Sequence, residues 1–244
     1  NASIGYNSLN ANTTGSSNTS IGNDALSANT TGWVNVALGN EALRSNIIGS
    51  SNVAIGHQAM LNFNTAGSNY NNAIGEGALK NLISGGSNSA LGVYSLSGLT
   101  TGSSNNAIGR DAGSVITVGS QNIFIGNNSD ASSNSLSNAI AIGTLAIVSA
   151  SNTIQLGNTS ITDVKTSGNV TAAGYKVPGG LSTQSVRADG TVTTSVTAGV
   201  PYTGASQATN LGAYDLKVNG LTVGKGSGSN TYNFNSVALG VNAL

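Results

Sequence analysis

One phrase, Asn-x-Ala-Ile-Gly-x-x-Ala-Leu, recurs along the chain at near-constant spacing, and that spacing restricts the fold more than any other property. Clear copies occupy residues 35–43, 52–60, 71–79 and 88–96. The glycine after the aliphatic residue marks each unit: Gly5, Gly22, Gly39, Gly56, Gly75, Gly92, Gly109, Gly126 and Gly143. Successive markers are 17 residues apart, except for 19 between Gly56 and Gly75, and a final step of 14 reaches Gly157. A fixed period of this kind indicates stacked units, each burying its apolar edge only against its neighbours. The expected class is all-β, a repetitive parallel β-roll or β-solenoid over residues 1–157.

Each unit joins a strand-like phrase, such as Asn52-Val53-Ala54-Ile55-Gly56, to a turn-rich return, such as Ser27-Ala28-Asn29-Thr30-Thr31-Gly32. A second glycine stands seven residues before the marker in most units, at Gly15, Gly32, Gly49, Gly85, Gly102 and Gly119. A glycine at one place in every turn predicts positive φ or close backbone approach. In the long unit its counterpart, Gly67, is one place out of phase, so the two extra residues are expected to bulge around 63–70. The residue before the marker is always Ile or Leu, from Ile4 to Leu156, and a small residue usually precedes it. At the ~4.8 Å strand spacing these would stack into an apolar ladder. Leu9, Leu26, Leu43, Met60, Leu79 and Leu96 form a second column. A core built mainly of Ala and Ile is thin, so several chains are expected to pack together. A homotrimer is the favoured number and a single-chain solenoid the alternative.

Asn18, Asn35, Asn52, Asn71, Asn88, Asn105 and Asn122 fall four residues before their markers. An amide ladder or Asx turn would satisfy the backbone at each bend; a ligand-binding row is the competing use.

Charged residues make up 7% of the chain with no net charge, against about 25% in an ordinary soluble domain. This removes the electrostatic footprint of a nucleic-acid binder. It also separates the chain from highly charged disordered segments. The absence of cysteine excludes a disulfide framework and a thiolate metal site. The most apolar stretch, 138–148, is too short to span a membrane.

The repeated Asn-x-Ala-Ile-Gly-x-x-Ala-Leu phrase resembles the head repeats of trimeric autotransporter adhesins, and also similar repeats in phage and bacterial tail-fibre-like surface proteins. The resemblance covers residues 1–157. It implies a left-handed parallel β-roll, three copies of which form a trimer, on a cell surface or virion. The units here are longer than the usual adhesin-head unit, and the Asn-Thr-Thr-Gly stretch is closer to the tail-fibre version.

From Asn158 the pattern changes. Residues 158–170 alternate apolar and polar, which predicts a strand, a turn at Gly168 and another strand. They form an expected β neck over 158–180. A small β-rich connector over 181–224 contains a β segment at 185–196, and the phrase at 215–220 resembles that at 163–168. No heptad spacing is present, so no coiled coil is expected. A Gly/Ser linker spans 225–234. Residues 235–244 open a further head repeat, with Gly240 in the place of Gly5; the segment is expected to be slightly more than one super-repeat of a longer fibre.

Catalytic and metal chemistry find little support. His57, the only histidine, follows a marker glycine where other units carry Asn23, Asn40 or Glu76, so a surface position is expected. Glu76 could approach His57, but a metal would need further ligands. The carboxylates Asp24, Glu41, Glu76, Asp111, Asp130, Asp163, Asp189 and Asp215 look scattered, and the calcium-binding period of other β-rolls is missing. Asn-x-Ser/Thr sequences at Asn12, Asn18, Asn29 and Asn158 are expected by chance in such a composition. Trp33, Tyr70 and Tyr94 share no repeat position. No catalytic, cofactor-binding or metal residue is therefore assigned, and no cofactor. The expected function is a non-enzymatic fibre or adhesin segment of an extracellular filament or phage tail fibre. It would act as rigid spacer and attachment element, with itself and a surface glycan or protein receptor as partners. The alternatives are a glycan-cleaving tailspike-like fibre and an ice-binding solenoid using rows such as Thr30-Thr31 and Thr100-Thr101.

Overall fold

The computed structural model describes residues 1–161 and 163–167, together with four short strands at 184–186, 192–194, 216–218 and 221–223. The first compact unit, Asn1–Lys165, is a β-solenoid of about nine turns with no helix among the described residues. Its backbone is a ten-stranded parallel sheet. The strands are Ala2–Ile4, Thr19–Ile21, Val36–Leu38, Val53–Ile55, Asn72–Ile74, Ser89–Leu91, Asn106–Ile108, Ile123–Ile125, Ile140–Ile142 and Ile154–Leu156. We number the coils 1 to 10 by these strands. Every strand pairs only with its sequence neighbours, in the register the period demands: Ile4 opposite Ile21, Ala54 opposite Ala73, Ile142 opposite Leu156.

The marker glycines set the period physically. Each has φ between +119 and +144 in coils 1 to 9, a region closed to residues with a Cβ. Each also lies against the next coil: a Cβ on Gly22 would sit 2.4 Å from the Gly39 carbonyl oxygen. The N–H of Gly22 donates to the Ile4 carbonyl at 2.8 Å, and the same bond repeats up the stack. The second glycines differ. Gly15, Gly32 and Gly102 are there for close approach, their Cβ positions meeting the next coil's carbonyl at 2.0–2.3 Å, whereas Gly85 also has φ +123. Positive φ is instead adopted by non-glycine residues at three recurrent places, exemplified by Asp24, Leu26 and Ser17. Their N–H groups are used between coils: that of Leu26 donates to the Ala42 carbonyl at 2.9 Å and that of Asp24 to Tyr6 at 2.9 Å.

The core is narrow. Strand centres contribute Ala37, Ala54, Ala73, Ala90, Ala107, Phe124 and Ala141, while Leu26, Leu43, Met60, Leu79 and Leu96 fill the middle. The asparagine column is buried and forms the expected amide ladder. Asn35 Nδ2 donates to Asn18 Oδ1 at 3.2 Å and to the Gly49 carbonyl at 2.9 Å, and the Asn35 N–H donates to the same Asn18 oxygen. A second amide column, Asn12, Asn29 and Asn46, links the first three coils. In later coils that column becomes Phe63, Leu82, Leu99 and Ile116, all fully buried.

The two extra residues of the long unit fall between Phe63 and Asn71, as expected. Gly49 pairs with Gly67, 18 residues on, and Asn52 bonds Asn71, 19 residues on, so one is taken up on each side of Gly67.

The strand expected from Asn158 is not formed among the described residues of that run. Residues 158–161 turn back, with the Ile161 N–H donating to the Asn158 carbonyl at 3.1 Å and the Ser160 N–H to Asn158 Oδ1 at 2.8 Å. No strand includes 163–167. These Asn158 bonds close the turn that ends the run alternation predicted as extended, and they bring Ile161 over Gly157, its Cγ1 only 2.2 Å from where a Cβ would be. Gly168 and Val170 lie outside the described residues, as do the linker at 225–234 and the repeat phrase at 235–244. In the second unit, Thr166–Leu244, Gln184–Val186 pairs antiparallel with Val192–Thr194, and Leu216–Val218 with Leu221–Val223.

Candidate functional site: the outer face of the parallel sheet

A strand turns alternate residues to opposite sides. Within each three-residue strand of coils 2 to 9 the middle residue is buried and the flanking two point outward. The Ile/Leu column before the marker glycine is therefore not core. It forms a ladder on the outside: Ile4 is 65% exposed, Leu38 42%, Leu91 50%, Ile108 49% and Leu156 45%. Ten rungs at the ~4.8 Å spacing make it about 43 Å long. A parallel sheet ordinarily has both faces covered, and a continuous exposed apolar strip marks a contact surface.

Charge is kept off this face. Between residues 1 and 161 every Asp, Glu, Lys and Arg lies one to five residues after a marker glycine, so the carboxylates that look scattered in sequence gather on one turn edge. Asp130 is the buried exception. On that edge Gln58 Nε2 donates to Glu41 Oε2 at 2.7 Å and Arg44 pairs with Glu41. The hydrogen bond from the Gln58 side-chain amide, with the Arg44 charge, holds Glu41 below its ordinary pKa. His57 Nδ1 lies 3.8 Å from Glu76 Oε1, both side chains about half exposed, so the predicted approach occurs. The Tyr94 hydroxyl donates to the same Glu76 oxygen at 2.9 Å, and the carboxylate bond and charge raise the phenol's pKa. The Tyr94 ring lies over Gly77, where a Cβ would be 2.4 Å from Cδ1. Among the described residues no three His, Cys, Asp or Glu side chains converge as metal ligands.

Other singled-out residues are placed separately. Trp33 and Tyr70 are 47% and 61% exposed in different turns. Hydroxyls of the threonine rows are engaged along the stack: Thr13 Oγ1 donates to the Thr30 carbonyl at 3.0 Å and Thr100 Oγ1 to Thr117 at 2.8 Å. Asn18 and Asn29 are buried in the amide columns, while Asn158 Nδ2 donates to the Thr144 carbonyl. Asp189 and Asp215 lie outside the described residues.

The outward orientation of the Ile/Leu column escaped the sequence reading. Its sign was the small residue at the strand centre: where Ala fills a narrow interior, the bulky neighbours on either side must face out. Comparison of the chain with known protein families, curated proteins and solved structures returned no match.

Proposed function

We propose that this chain is a non-enzymatic segment of an extracellular surface filament or phage tail fibre, a stiff spacer and attachment element in which three copies associate through the outer sheet face. The observation that carries it is the uncharged, exposed Ile/Leu ladder running the length of a solenoid. Fully burying such a side chain is worth ~1.5–3 kcal/mol, so covering a half-exposed rung contributes about 1 kcal/mol. Two facing ladders supply this twice over ten rungs, which exceeds the ~4–15 kcal/mol cost of association. Cyclic closure leaves no copy with a bare ladder, and three is the number implied by the resemblance to adhesin heads. The scarcity of charge on this face and the buried amide ladder that ties coil to coil support a mechanical role. Attachment to a surface glycan or protein would then use turns and edges left outside the contact.

The test is the mass and shape of the purified segment by light scattering and electron microscopy. A rod of three chains is expected. Leu91→Lys with Ile108→Lys should give a monomer that keeps its β-rich circular dichroism. A wild-type monomer overturns the proposal.

A further inference from the structure

The outer face has a second column, the first residue of each strand, which opens with Ala2 and the single polar Thr19 in coils 1 and 2 and then changes from aliphatic to polar and back. Coils 3 and 4 carry Val36 and Val53, and coils 8 to 10 carry Ile123, Ile140 and Ile154. Between them, coils 5 to 7 carry Asn72, Ser89 and Asn106. Beside this polar interval the third-position column continues unbroken as Ile74, Leu91 and Ile108, and the two columns wall a shallow groove floored by Ala90 and Ala107. Asn72 and Asn106 are exposed. No hydrogen bond from another described residue reaches the side chains of Asn72, Ser89 or Asn106. The contrast with the preceding residues is direct: Asn71, Asn88 and Asn105 are buried, with their amides engaged in the ladder.

An Ile/Leu ladder repeating every ~4.8 Å makes nearly the same contacts when two copies slide by a whole coil, so it binds without choosing a register. Unpaired amides remove that degeneracy, because an amide buried against Val or Ile without a partner is destabilising. Single polar residues in otherwise apolar helical seams set register in this way.

We propose that Asn72, Ser89 and Asn106 form a register key, which mates with the same interval of a second copy of this chain and holds the copies level. This rests on the self-association proposed above. A second copy is the fitting occupant because the face is uncharged along its length, and the half-exposed rungs offer a contact long enough for stable association. With the copies parallel about one axis, residues of the face turned to that axis lie level with their counterparts. Asn72 and Asn106 then find amide partners, and the flanking Val and Ile residues find one another.

The chain has no cysteine, so introduced thiols report register cleanly. Val36→Cys and Val53→Cys chains are mixed, co-refolded and oxidised, and cross-linked peptides are counted by mass spectrometry, alongside native mass of the unmodified protein. Level copies give 36–36 and 53–53 links, with 36–53 links at least about tenfold rarer; a slip by one coil gives 36–53. Introducing Asn72→Val, Ser89→Val and Asn106→Val, which copy the residue type at positions 36 and 53, should leave the assembly intact and raise 36–53 links about tenfold, to parity. Circular dichroism checks that this variant folds. Rare 36–53 links in the triple variant, or frequent ones without it, overturn the key. An assembly that yields no links at all also overturns it, because the contact then lies elsewhere. A native mass of one chain overturns the self-association reading itself.

Discussion

The ring of Phe124 occupies the space that a side chain at Gly113 would fill: a Cβ built on Gly113 comes within 2.6 Å of Phe124 Cδ2. Phe124 stands in the strand-centre column otherwise held by alanine in its neighbours, Ala107 and Ala141, and Gly113 stands in the column of Leu79 and Leu96. Two adjacent coils, 7 and 8, thus exchange a small-plus-large pair for a large-plus-absent pair. Phe124→Ala alone should cost about 3–5 kcal/mol by leaving a cavity. Adding Gly113→Leu should recover most of that loss, since Leu96 already holds φ 49 at the equivalent place, near the +66 of Gly113. Calorimetric melting of the single and double variants decides; losses that simply add would refute the exchange.

Removing one amide from the buried ladder should be felt in two coils. Asn88 Oδ1 accepts from the N–H of Asn105 at 3.0 Å and from its Nδ2 at 3.1 Å, while Asn88 Nδ2 donates to the Gly102 carbonyl at 2.9 Å. Asn88→Ala leaves the Asn105 N–H and the Gly102 carbonyl without these partners in the interior, at about 1–3 kcal/mol for each unsatisfied group, while Asn105 Nδ2 keeps its bond to the Gly119 carbonyl. A stability loss of about 3 kcal/mol in urea titration is expected. Asn106→Ala, whose side chain faces out, should change monomer stability by less than about 0.5 kcal/mol.

The marker glycines should tolerate no side chain. Gly92→Ala combines φ +144 with a Cβ 2.4 Å from the Gly109 carbonyl oxygen, and backbone on both sides is locked in the ladder. Loss of cooperative folding around coils 6 and 7, read as fast amide hydrogen exchange there, is the expected result. Gly67→Ala meets no atom within 4 Å and should cost only the strain of its φ of +89, about 1–2 kcal/mol.

Asp130 should make stability fall as pH rises above the ordinary carboxylate pKa. Burial raises its pKa, against opposing bonds from Ala131, Ser114 and Val115. The Ala131 N–H donates at 2.8 Å, the Ser114 hydroxyl at 2.9 Å and the Val115 N–H at 3.0 Å. With the folded pKa above the unfolded value, the folded state binds the proton more tightly. That contribution is complete below the ordinary carboxylate pKa of ~3.9 and is lost as pH rises through the raised folded value. Thermal melting against pH should show this fall in the wild type and a flatter profile in Asp130→Asn; an equal fall in both assigns it to other groups.

The period was fully legible because it rests on glycine, whose role at Gly22 or Gly92 depends on backbone contact alone and so cannot be played by another residue. Which side of the sheet faces the core was not. Three-residue strands such as Val53-Ala54-Ile55 are too short for alternation to declare itself, and an aliphatic column reads as core by default. The change from Asn46 to Phe63 in one buried column was hidden for a different reason: amide and aromatic side chains fill the same site by unlike means, one by hydrogen bonding along the stack and one by volume. The charged edge was hidden because Asp24, Glu41, Glu76 and Asp111 recur only when positions are folded modulo the repeat. The turn at Asn158 is closed by bonds from the Ser160 and Ile161 N–H groups to Asn158 itself, which strand alternation does not encode.

The long coil separates two properties that are coupled in most folds. Val53 pairs with Asn72 and Asn72 with Ser89 in unbroken register, although the loop between the first two carries two additional residues. Width and reach are therefore independent coordinates of this design. A loop can lengthen sideways and change what the flank displays while the axial rise stays fixed, and whole units of 17 residues can be inserted or deleted to set the span in increments of ~4.8 Å. Variation in such a sequence can alter the distance bridged and the surface shown one at a time, without either change disturbing the other.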